Sequence, residues 1–94
     1  MGTKNNPGQF DCHAKAHPDE PIFTLRGKDV SAPYLVEMWT FLRQGKFEEA
    51  RSVLELAIED GRVRSLVGDC DKFNEAFQVA EDMRAWRRVL DQRQ

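Results

Sequence analysis

The residue types that could hold a metal are Cys12, His13 and His17, close together, with Cys70 far along the chain. Zinc takes Cys and His ligands in tetrahedral sets. The adjacent pair Cys12-His13 is badly placed to aim at one ion, and no C-x-x-C occurs. The spacing therefore predicts a reduced, partly covered cysteine and surface histidines, with no metal and no cofactor. Asp19 and Glu20 lie between Pro18 and Pro21. Two such carboxylates could act as a general base or bind a cation, but neighbouring acids between prolines read better as a rigid solvated turn. Asp11, Cys12 and His13 raise the thought of a Cys/His nucleophile. A working thiolate needs a lowered pKa and a cleft, and the sequence points to neither. No nucleophile, base and orienting group can be assembled into one set, so the residues predict a protein that is not an enzyme.

Anion binding has a firmer local basis. Arg26 and Lys28 flank Gly27 in a loop just before a helix start, and basic side chains beside a helix N-terminus hold phosphates well. A small anionic ligand such as a nucleotide would bind there, with Tyr34 or Phe10 available for stacking. His13, Asp19 and Glu20 would complete that site at a subunit interface. The competing reading pairs Arg26 with Asp29 or Glu37 at the surface.

The element that must position these groups is the stretch Ala32 to Arg43. At about 100° per residue, Tyr34, Leu35, Met38, Trp39, Phe41 and Leu42 cover half its circumference, and Val36 lies beyond them. A helix apolar on most sides is covered on most sides, by the rest of the chain or by a second copy. That predicts a homo-oligomer, with Leu35, Val36, Trp39 and Trp86 as candidate interface residues. Ser31 is the expected N-cap, Pro33 sits in the first turn, and Gly45 ends the helix as a C′ glycine.

Lys46 to Glu59 reads as a second helix, with Phe47, Ala50, Val53, Leu54, Ala57 and Ile58 on one arc and Leu56 alone on the polar side. The turn of Gln44 and Gly45 is short enough to force an antiparallel hairpin. Residues 62–71 read as a linker, after which Asp69 or Asp71 caps a third helix. In that helix Phe73, Ala76, Phe77, Val79, Ala80, Met83 and Leu90 share a face that also holds Arg87. Before the hairpin, residues 1–9 read as a disordered tail and 10–31 as an ordered arm. One helical turn fits between His13 and His17, and one short strand or an extended run fits from Pro21.

The expected fold is therefore mainly α. It is a three-helix domain spanning 10–94, with helices near 32–43, 46–59 and 72–91 and an N-terminal arm. With 94 residues the chain makes one domain that buries only about 60–65% of its unfolded surface. Fourteen basic residues against sixteen acidic ones, net charge −2, argue against a dedicated nucleic-acid binder. The opening MGTKNNPGQ is polar and has no apolar core segment. No apolar run is long enough to span a bilayer. These features predict a cytoplasmic protein.

Two resemblances follow. Tyr34, Phe41, Gly45, Ala50, Leu54 and Ala57 make the hairpin of residues 32–61 similar to a single tetratricopeptide repeat, with Met38 and Arg62 departing from the pattern. That resemblance implies an adaptor or structural module. Asp11-Cys12, Pro18 to Pro21, Phe23, Leu25, Asp29, Ala32-Pro33, Leu35-Val36, Trp39 and Trp86-Arg87 form a longer series. It resembles a group of short proteins encoded by bacteriophages and prophages. This second resemblance implies an accessory protein acting on a component of the host cell, for instance in counter-defence, and implies no reaction.

Overall fold

A computed structural model describes residues 2–92; Met1 of the expected tail, and Arg93 and Gln94 at the end of the expected domain, lie outside the described residues. The chain is mainly helical. Its elements are α1 (Cys12–Lys15), α2 (Ala32–Gln44), α3 (Phe47–Glu59), α4 (Gly61–Ser65) and α5 (Asp71–Gln92). They fall into two compact units: Thr24–Asp69, and the stretch through Phe23 together with the stretch from Cys70 onward.

In the first unit α2 and α3 form a tight hairpin. Gly45 adopts φ 76°, ψ 13°, and its N–H reaches the Leu42 carbonyl at 3.2 Å. The Lys46 N–H reaches the Phe41 carbonyl at 2.9 Å. These two bonds satisfy carbonyls that a helix end otherwise leaves orphaned. At the seam the helices meet on small side chains. Ala50 and Val53 of α3 are buried, as is Ala32 at the start of α2, while Tyr34, Met38, Phe41 and Ala57 are half-buried.

Four expectations need correction. Ser31 stands at the N-cap of α2 as expected, but its own backbone is already helical (φ −82°, ψ −20°) and its hydroxyl makes no capping bond. Asp29 supplies the bonds at this helix start instead, its carboxylate accepting from the Ser31 N–H at 2.8 Å and its carbonyl from the Ala32 N–H at 3.0 Å. The expected linker after Gly61 contains α4. The Asp60 carboxylate caps it by accepting from the Arg62 N–H at 2.8 Å, and an Asp N-cap is enough to start a short helix. No strand forms among the described residues: 20–26 has no regular secondary structure and no neighbouring strand to make a ladder with. Finally, the chain by itself does not cover α2 on most sides. Leu35, Val36, Trp39 and Leu42 are exposed, because the hairpin partner α3 can shield only one arc of the helix.

The second unit carries α1, where the Asp11 carboxylate accepts from the Ala14 N–H at 3.4 Å, and the 22-residue α5. Asp71 opens α5, adding an acid where the helix dipole favours one. Arg87 pairs with Asp91 one turn on, at 3.2 Å, both side chains remaining in solvent. Residues 2–9 are exposed, with a local turn in which the Thr3 N–H donates to the Asn6 carbonyl at 2.8 Å.

Candidate functional site

The best-defined concavity lies where the arm meets the start of α2. Residues 26–29 form a turn closed by the Asp29 N–H donating to the Arg26 carbonyl at 3.0 Å. With Asp29 also tied to Ser31 and Ala32, the turn lays Leu25 and Arg26 beside the first turns of α2. The result is a pocket of about 390 Å³ lined by Leu25, Arg26, Gly27, Ala32, Pro33, Val36 and Glu37. Gly27 has no neighbour within 4 Å of where a Cβ would sit, so it leaves the mouth open. Its lining is mainly apolar and includes one cation and one anion, Arg26 and Glu37. Neither makes an ion pair among the described residues. An apolar cavity with a few convergent polar groups is the ordinary form of a binding site.

Of the residues expected to bind an anion, the pocket takes only Arg26. Lys28 is exposed outside the lining, and Tyr34 is committed elsewhere. The Tyr34 hydroxyl donates to the Asp60 carboxylate across the base of the hairpin. That bond to the carboxylate, with burial and the nearby Asp60 and Glu37 charges adding to it, pushes the Tyr34 phenol above its ordinary 10.0. The same bond, helped by the backbone N–H groups of Arg62 and Val63 and by the Arg62 charge, holds Asp60 below 3.8 against the opposing effect of burial. Glu37 in the pocket wall also opposes a phosphate, since like charges repel at close range.

His13, Asp19 and Glu20 belong to the second unit. There a turn of the chain is fastened three ways. The Glu20 N–H donates to the His17 carbonyl at 2.9 Å, the His17 N–H to the Glu20 carboxylate at 3.3 Å, and the Asp19 N–H to His17 Nδ1 at 3.1 Å. The His17 ring lies 5.4 Å from the ring of Trp86, tilted by 47°. Trp86 is therefore half-buried against a histidine of its own unit, whereas Leu35, Val36 and Trp39 stand open on α2. His13 and Asp19 are exposed. Cys12 and Cys70 are free thiols, both exposed, where the expectation was a partly covered cysteine. Among the described residues no three His, Cys, Asp or Glu side chains come together as metal ligands.

Two participants escaped the sequence reading. Glu37 stood out only as a surface partner for Arg26, since nothing local marks it as pocket wall. Asp60 carried a readable signal as the cap of α4, but its pairing with Tyr34, 26 positions away, leaves no local trace.

No protein-family model, characterised protein or solved structure matches the chain. No described helix is long and apolar enough to cross a membrane.

Proposed function

We propose that the chain is a bacteriophage accessory protein that works by binding a protein of the host cell in the bacterial cytoplasm, and not by catalysis. The reading rests on the pocket beside α2. Its apolar lining residues Leu25, Ala32, Pro33 and Val36 suit an apolar side chain of a partner, and Arg26 and Glu37 offer both signs of charge to the partner's backbone or flanking residues. Peptide recognition commonly combines one filled pocket with a few polar fixings. Phage origin and a counter-defence role are what the series from Asp11-Cys12 to Trp86-Arg87 suggests. A nucleotide sponge is the weaker reading, because Glu37 shares the wall with Arg26, while Lys28 and Tyr34 point their chemistry elsewhere.

The test is capture from bacterial lysate with the tagged full chain, in parallel with Val36→Asp and Arg26→Glu. One partner bound stoichiometrically by the wild type and lost with both variants supports the pocket. A partner held equally by all three chains sinks it. Stoichiometric thermal stabilisation by a nucleotide, through ligand linkage, would replace it with the sponge.

A further inference from the structure

The hairpin carries a second surface, separate from the pocket. On α2, Leu35, Trp39 and Leu42 recur at i, i+4 and i+7; on α3, Phe47, Leu54 and Ile58 recur at i, i+7 and i+11. Each set makes one stripe along its helix. At about 100° per residue, each stripe lies about a quarter turn from the residues at the seam, in the same rotational sense on both helices. Because the two helices run antiparallel, equal rotation brings the stripes to the same side of the hairpin. The opposite side carries Glu37, Thr40 and Gln44 from α2 and Glu49 and Ser52 from α3, with Leu56 the one apolar exception.

All six stripe residues are open, 43–61% exposed, with Phe47 and Trp39 the most so. Together they leave on the order of 700 Å² of apolar side chain in water, beyond the roughly 300–600 Å² typical of the largest patch on a monomer. Doubled, that is about 1,400 Å², within the range of roughly 1,200–2,000 Å² for a stable protein–protein interface.

We infer that this face is where a second copy of the chain docks, so that two hairpins close face to face into a four-helix bundle. One charge, Arg51, stands within the α3 stripe, paired with Glu48 at 2.6 Å; the rest of the face is rich in the aromatic and large aliphatic side chains found at the centre of homodimer interfaces. A self-complementary patch of this kind uses the same surface on both copies and closes by a two-fold axis. Trp39 is the anchor. Val36, on the pocket side, and Trp86, in the other unit, take no part, and the inference stands whatever the pocket holds.

The experiment is sedimentation equilibrium of the full chain across a concentration series. The wild type should be a dimer. Trp39→Glu and Ile58→Glu should each be monomers that keep their helical circular dichroism, while Val36→Glu should remain a dimer. A second measurement needs no disruptive change: with Trp86→Phe, Trp39 is the sole tryptophan, and its emission should shift to the blue as concentration drives association. A wild type that stays monomeric at every concentration overturns the inference, as does a Trp39 emission that ignores concentration.

Discussion

The Tyr34 hydroxyl donates to the Asp60 carboxylate, joining the first turn of α2 to the residue that follows α3. Gly45 closes the hairpin at its other end, so the two helices are fastened at both ends and must run antiparallel. Asp60 does two things at once, because its other carboxylate oxygen caps α4 through the Arg62 N–H. A charged acceptor makes the Tyr34 bond stronger than one between neutral groups.

Tyr34→Phe should therefore lower the melting temperature by a few degrees without changing the helix content. Asp60→Ala should lower it further, since it removes the cap as well, and Asp60→Asn should fall between, because Asn also caps well. A double-mutant cycle on thermal unfolding checks the coupling. If the two effects simply add, Tyr34 and Asp60 do not hold the hairpin together.

The same pair sets a pH window. Asp60 is held below 3.8, so its contribution to stability is complete above that value and is lost as pH falls through the folded-state pKa. Tyr34 is raised above 10.0, so its contribution is complete below 10.0 and is lost as pH rises through the folded-state pKa. The pair should thus support folding evenly from about pH 4 to about pH 10. In Tyr34→Phe the acid limb should shrink but persist, because the Arg62 N–H still donates to Asp60. Urea midpoints across pH read both limbs; an unchanged acid limb in the variant would count against the bond.

The turn of the hairpin and its seam give a contrast in mechanism. Gly45→Ala meets no neighbour within 4 Å but must hold φ near 76°, a left-handed conformation that costs a residue with a Cβ about 1–2 kcal/mol. Asn at that position should cost less. Ala50→Leu has the opposite difficulty: the site is 5% exposed at the helix contact, and overpacking there should cost about 1–3 kcal/mol. Chemical denaturation separates them, since only the Ala50 change should also disturb near-ultraviolet signals from the packed aromatics. An Ala50→Leu chain as stable as the wild type would mean that the helices do not meet there.

Local pattern carried the helices. The apolar spacing of 32–43 and 46–59, the glycine between them and the face of α5 are read within a few residues of one another, and the helix ends in the structure lie within one residue of those bounds. An i, i+4 repeat says that a helix has an apolar side; it does not say what covers that side. For α2 the sequence suggested cover nearly all round, and the fold leaves Leu35, Trp39 and Leu42 open, because one neighbouring helix shields one arc. The residues expected around an anion are dispersed within the chain for a similar reason. Arg26, Lys28 and Tyr34 are close in sequence, but a turn and a helix direct their side chains apart, and His13, Asp19 and Glu20 belong to the other unit.

What the sequence determined by itself was therefore class and position: a mainly α chain, a hairpin turning at Gly45, and helices where period and caps agree. Those rest on hydrogen bonds and steric limits that act over four or five residues. Only tertiary structure decided that Tyr34 meets Asp60, that Glu37 joins Arg26 around a pocket, and that six apolar side chains of α2 and α3 share one open face. Each of those depends on how far one helix is rotated against its neighbour, a quantity set by packing of side chains distant in the chain.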